Sequence, residues 1–179
     1  MNRVSAKDRP TVIRLKVTTV GMPQVGKSCL IKNYCEGRFV RKYLPTIGVD
    51  YGVRPIDIDK CTVRVNFFDL SGLDDYTDIR AEFYGDTQGL ILIFDLSKKE
   101  TFLGLDKYHR EFLKATSSPT QLFLVGTKAD QPAAVTPEEI KTYSTQIKAP
   151  FFRVSSQSGE GVSACFEAIF RAIFDKVAR

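Results

Sequence analysis

Apolar and polar positions along the chain alternate with two different periods. TVIRLKVTTVG (11–21) is β-branched and alternating, which predicts a strand. GKSCLIKNYCEG (26–37) reads as a helix ending near Gly37. RFVRKYLPTIG (38–48) is broken by Pro45 and Gly48 and reads as a loop. VDYGVRPIDID (49–59) and CTVRVNFFDL (61–70) predict a hairpin turning near Asp59–Lys60. DDYTDIRAEFYG (74–85) predicts a short helix, GLILIFDL (89–96) a buried strand, and KETFLGLDKYHREFLKA (99–115) one helix with apolar residues at helical spacing, whose KETFLGLDKYHR part is a solvated helix and not a binding patch. TQLFLVGTK (120–128) is a strand, TPEEIKTYSTQI (136–147) a helix with Pro137 in its first turn, and PFFRVSS (150–156) a strand. The last segment places Val162, Phe166, Ile169, Phe170, Ile173 and Val177 on one face of a long amphipathic helix.

The order is βα, then ββ, then alternating αβ units. It predicts an α/β fold with a mostly parallel sheet and helices on both faces. Ligands of such sheets sit beyond the carboxyl ends of the strands. Chemistry is therefore expected from Gly21, Asp69, Gly126 and Ser155 onward. Residues 1–10 read as a flexible arm and 11–179 as one domain. The length of 179 residues suits a single core.

Composition changes this picture little. Apolar content of 43% and charged content of 26% are ordinary for a globular protein. The net charge of +5 is spread along the chain without a basic run, so no nucleic-acid partner is expected. The arm residues Arg3, Lys7 and Arg9 read as a disordered tail. No apolar run reaches the ~18 residues that span a bilayer, and MNRVSAKDRP has no apolar core of a secretory signal. Cys29, Cys35, Cys61 and Cys165 form no CxxC pair and read as reduced thiols, mostly in the core, with Cys29 and Cys35 packed on the first helix. The single histidine, His109, lies on a charged stretch and reads as surface.

GMPQVGKS, Gly21 to Ser28, fits G-x-x-x-x-G-K-[ST] between a strand and a helix. In that context the loop amides and the helix N-terminus face phosphates. Lys27 supplies charge to the β/γ-phosphates, and the Ser28 hydroxyl ligates Mg²⁺. Gln24, Val25, Gly26 and Cys29 complete the cradle. Pro23 lacks an N–H, which removes one donor and stiffens the loop. GTKAD (126–130) ends a buried strand. Asp130 can accept from the N1–H and 2-amino group of guanine, a donor pair that adenine lacks, and the Lys128 stem can lie on the base plane. VSSQSGEG (154–161) places Ser155, Ser156 and Gln157 at the same end, where the Ser156 N–H can reach the guanine oxygen.

GMPQVGKS, PTIG, DLSG, TKAD and SSQ stand in the order and spacing of the Ras superfamily of small GTPases, which the chain resembles nearly end to end. TIGVDYG (46–52) is similar to the Rab branch. The run from Gly26 to Val53, with EFYGDTQGLILIFD (82–95), is similar to the Rab-like RJL group, often built with a J domain. The resemblance implies a P-loop small GTPase fold, a six-stranded mostly parallel sheet with five helices. It implies that Thr46 ligates Mg²⁺, that Asp69 holds Mg²⁺ through water, and that the Gly72 N–H contacts the γ-phosphate. Phe39 would pack at the guanine ring and Tyr43 would cover the phosphates. GTP/GDP and Mg²⁺ are the implied ligands. An effector would dock on residues 38–52 and 69–85, an exchange factor would act there, and a cytoplasmic monomer is expected. A basal-body or flagellar association is a group-level implication, and the nucleus stays open.

The departures carry information. Thr127 stands where most of the superfamily has Asn, as in the Rho branch, and Phe68 where Rabs have Trp. His109 is followed by Arg110-Glu111, not the Pro-Asp of a J domain, and the last cysteine is Cys165. No J domain and no stable lipid anchor are therefore expected from these residues. In FDLSGLDD (68–75), Leu73 follows Gly72 where the family's water-orienting Gln stands. Leu neither donates nor accepts, and Asp74 or Asp75 would add like charge near a phosphate. Three readings remain open: a slowly hydrolysing GTP switch, a GTP-locked scaffold that never cycles, and a P-loop kinase or ATPase, which leaves TKAD and Thr46 unexplained.

Overall fold

The computed structural model describes residues 12–178, so the arm expected at residues 1–10 lies outside the described residues. Six strands form one sheet: β1 (Ile13–Val20), β2 (Val49–Ile58), β3 (Cys61–Leu70), β4 (Gly89–Asp95), β5 (Gln121–Thr127) and β6 (Phe151–Arg153). Their order is β2-β3-β1-β4-β5-β6. Only β2 and β3 pair antiparallel, as a hairpin whose Asp59 turns with φ 55°, and every other pairing is parallel. The helices are α1 (Lys27–Glu36), α2 (Thr77–Phe83), α3 (Lys99–Leu103), α4 (Leu105–Ala115), α5 (Pro137–Ile147) and α6 (Val162–Val177).

The strand pattern splits the core into two layers. In β4 every residue is buried. Ile91 and Ile93 point to one face, and Leu90, Leu92 and Phe94 to the other. This is the period of two expected for a strand covered on both sides. The first face packs on α1 and α6, where Phe67, Phe166 and Phe170 meet Tyr34. The second packs on Tyr84 after α2 and on Phe102, Leu105, Tyr108, Phe112 and Ile140 of α3 to α5. Thr136 caps α5 with a reciprocal Glu139 box, and Pro137 opens its first turn. Among the described residues no helix is long and apolar enough to cross a membrane.

Several sequence expectations change. The helix expected over 99–115 is broken at Gly104 into α3 and α4, so the five helices hold with the third in two pieces. The apolar residues at helical spacing, Phe102, Leu105, Tyr108 and Phe112, reach the second core from both pieces, while Leu103, Lys107, Arg110 and Lys114 stay exposed on the other face. His109 is half-buried, not on the open surface, and burial lowers its pKa below the usual imidazole value. Val177, the last residue of α6, is 42% exposed, and Cys165 and Phe174 complete the buried face instead. Only Cys165 of the four unbridged cysteines is in the core; Cys29, Cys35 and Cys61 are half-buried at element edges. The strand over 150–156 shortens to three residues, and Asp74–Tyr76 form a 3₁₀ turn before α2.

Phe166 is fully buried at the centre of the aromatic cluster. Phe166→Ala should lower stability by about 3–5 kcal/mol through lost transfer energy and a residual cavity, read by urea denaturation.

Candidate functional site

The loop after β1 turns where only glycine fits. A Cβ on Gly21 (φ 149°) would lie 2.1 Å from the Ile93 carbonyl oxygen. Gln24 (φ 63°) and Gly26 (φ 98°) complete the turn into α1. No side chain caps the N-terminus of α1, so its first amides are left for a ligand. Lys27 folds back over the loop, and its Nζ donates to the carbonyls of Gly21 and Met22, each at 2.9 Å. Burial lowers the Lys27 pKa to about 8, with neighbouring Asp69 working against that shift and Arg80 adding to it.

Three oxygens from three parts of the chain converge beside Lys27. Ser28 Oγ at the start of α1 lies 3.1 Å from Thr46 Oγ1 in the 38–48 loop and donates to Asp69 at the end of β3. Thr19 Oγ1 also donates to Asp69, at 2.9 Å. Burial pushes the Asp69 carboxyl above its usual range, against the pull of Lys27, Ser28 and Thr19. Hydroxyl and carboxylate oxygens are the donor set of a hard divalent cation. Ser28, Thr46 and Asp69 therefore fit Mg²⁺ by chemistry.

The other end of the site is built from β5 and the loop after β6. Thr127 Oγ1 lies 2.5 Å from the Val25 carbonyl and 3.0 Å from the Phe94 carbonyl, tying the phosphate loop to the sheet. A hydroxyl has one proton for these two acceptors. Lys128 is left-handed (φ 58°), and its Nζ reaches the Gln24 carbonyl at 3.0 Å and Asp95 at 2.6 Å. Its stem thus bridges the two ends of the site. Ser155 Oγ donates to Asp130, which orients that carboxylate. Asn33 of α1 donates to the Ser156 carbonyl at 3.0 Å and holds the last loop in place.

Between these ends lies a cavity of about 320 Å³. Gln24, Gly26, Lys27, Ser28, Cys29, Phe39, Tyr43, Thr46, Gly72, Leu73, Thr127, Lys128, Asp130, Ser156 and Gln157 all line it. Gly21, Val25, Asp69 and Ser155 do not: they stand behind the wall, as loop hinge, loop anchor, and carboxylate and hydroxyl supports. Sequence reasoning missed the lining residues Lys32, Arg41, Lys42 and Gln131, and Asn33 behind them. Lys32 and Asn33 lie one helical turn beyond Ser28–Cys29, which is the signal that would have found them. The carboxyl-end location expected from the strand order is the one observed.

Residues 16–175 match the family model described as Ras family. The chain belongs to the Ras family. It is 40% identical over 181 residues to "DnaJ homolog subfamily C member 27-A" of Xenopus laevis, which aligns with 97% of this chain and 66% of that protein. It is 38% identical to "DnaJ homolog subfamily C member 27" of Gallus gallus and 37% identical to that of Homo sapiens, with the same shares. The chain spans just under two thirds of the length of these curated relatives. The resemblance to a Rab-like group that often carries a J domain fits relatives with these names.

Ras-family GTPases bind guanine nucleotides, generally with Mg²⁺, and act as GTP-binding switches with effector proteins. The Thr127 hydroxyl ties the phosphate loop to the sheet beneath the cavity. Thr127→Val should remove that bridge and cost about 1–3 kcal/mol, because the hydroxyl is buried. Thr127→Ser should retain most of the stability. Urea denaturation of the two variants checks this.

Proposed function

We propose that this chain is a Rab-like guanine-nucleotide switch that binds GTP and GDP with Mg²⁺ and hydrolyses GTP very slowly. The observation that carries the reading is Leu73, an apolar side chain lining the cavity directly after Gly72. Hydrolysis in this class depends on positioning an attacking water and on charge stabilisation. Lys27, with the first amides of α1, binds and stabilises phosphate charge. Gly72 lies against the phosphate loop, where its N–H can meet the γ-phosphate. Ser28, Thr46 and Asp69 would hold Mg²⁺, which neutralises charge on phosphate oxygens when bound. Leu73 offers no donor or acceptor to orient a water, and Asp74 and Asp75 would repel the phosphate. Phe39 and Tyr43 would cover the base and phosphates, while Asp130, Lys128 and the Ser156 amide read guanine.

Apolar side chains left exposed on the same two segments support an effector surface. Leu44, Ile47 and Tyr51 of residues 38–52 and Leu73 and Ile79 of residues 69–85 face outward there. Isolated apolar residues are normal on a surface, but a group on two adjoining segments marks an interaction site. Leu73 also favours a second reading, a GTP-locked scaffold that recruits an effector without turnover.

Nucleotide extracted from the purified protein separates the readings: GDP for a cycling switch, GTP for the scaffold, and ATP against both. Single-turnover hydrolysis should run below about 10⁻⁴ s⁻¹ without an activator. A rate equal to that of ordinary small GTPases would overturn slow turnover. Leu73→Gln should raise the rate about three- to tenfold, the value of one added hydrogen bond to the water.

A further inference from the structure

Arg80 of α2 is wholly buried, although a guanidinium stays charged at any ordinary pH. All five of its donors are used. Nε and Nη2 fork onto the two carboxylate oxygens of Glu111 in α4, at 2.8 and 2.9 Å. Nη2 also reaches Thr77 Oγ1 at 3.0 Å. Nη1 donates to the backbone carbonyls of Ser71 at 2.8 Å and Leu73 at 2.7 Å. The carbonyl between them, that of Gly72, accepts from the Tyr108 hydroxyl of α4 at 2.7 Å. Tyr84 donates to Glu111 at 2.7 Å and completes the network.

Three successive carbonyls of the switch segment therefore end on α2 and α4. The opposite side of the segment rests on the phosphate loop. A Cβ on Gly72 would lie 2.4 Å from the Gly21 carbonyl oxygen and 2.6 Å from Pro23 N. The start of α4 touches the same loop, since a Cβ on Gly104 would lie 2.7 Å from the Met22 sulfur. A buried ion pair is weak evidence for stability, because desolvation offsets its attraction. What this one does is fix one backbone conformation.

We propose that Arg80, Glu111 and Tyr108 are positioning residues that hold the Ser71–Leu73 backbone against the phosphate loop before a γ-phosphate arrives, and so set the preference for triphosphate over diphosphate. The inference rests on the guanine-nucleotide reading above. The apparent affinity of a ligand that needs the docked segment falls with the fraction of molecules in which it is docked. A nucleoside triphosphate needs Gly72 at the loop; a diphosphate does not reach it. Loosening the clamp should therefore weaken the triphosphate alone.

The test measures the affinities of GDP and a non-hydrolysable GTP analogue on the full chain. Tyr108→Phe removes only the bond to the Gly72 carbonyl and leaves the Arg80–Glu111 pair intact. It should weaken the analogue about three- to tenfold and leave GDP within about twofold. Amide exchange across residues 70–76 of the GDP-bound protein should speed up in the same variant. Tyr143→Phe is the control, because the Tyr143 hydroxyl is buried without a partner, and it should leave the affinity ratio unchanged. Glu111→Gln should move the ratio as Tyr108→Phe does. An equal loss for both nucleotides, or an unchanged ratio in Tyr108→Phe, overturns the proposal while leaving nucleotide binding standing. A native chain that binds neither nucleotide overturns both.

Discussion

The carbonyl oxygen of Gly21 lies where three parts of the chain meet, and the site depends on their close approach. Lys27 donates to it, and the Gly72 backbone presses so near that a methyl group on Gly72 would collide with it. Gly21 itself packs onto the Ile93 carbonyl. Side chains would push these backbones apart and disturb the cavity lined by the segments that follow β1, β3 and β5. Glycine is needed at both places for lack of space, and at Gly21 for its positive φ as well.

Charge is then placed in this tight region with its partners already present. Lys27, Asp69, Arg80 and Asp95 are all buried. An unpaired buried charge would be costly, so each is held. Lys27 leans on loop carbonyls, Asp69 accepts from Thr19 and Ser28, Arg80 forks onto Glu111, and Asp95 pairs with Lys128. Burial raises the Asp69 pKa and lowers that of Lys27, the shifts expected of a site that awaits a cation and an anion. Lys27 lines the cavity, and Asp69 supports it from behind through Ser28.

Leu73 fits the same arrangement differently. Its backbone is an acceptor for Arg80, while its side chain is 37% exposed at the cavity mouth. The position therefore keeps a backbone role without any polar side-chain role. In the proposed switch, that separation leaves the main chain of the segment to meet a phosphate and gives its side chain no water to orient. The exposed apolar residues of the proposed effector surface lie next to the same segment.

Local pattern was enough for much of this protein. The alternation in β4, the glycine and lysine spacing of the phosphate loop, the Thr136 cap and the Phe166–Ile173 face of α6 are all set by neighbours a few residues apart, so they are legible in the chain. Four determinants were not legible. Ser155 lines up with Ser156 in the sequence, yet burial makes it a support for Asp130. The close approach of Met22, from a distant loop, to Gly104 at the break is a contact that local spacing does not report. Val177 keeps the helical period, yet it ends α6 and stays exposed. Nothing in the short helix expected over 74–85 marks Arg80 as buried, and its ionic partner, Glu111, lies 31 positions away. Periodicity reports which face a residue occupies. What covers that face, and whether a buried charge finds its partner, is decided by contacts between residues far apart in the chain.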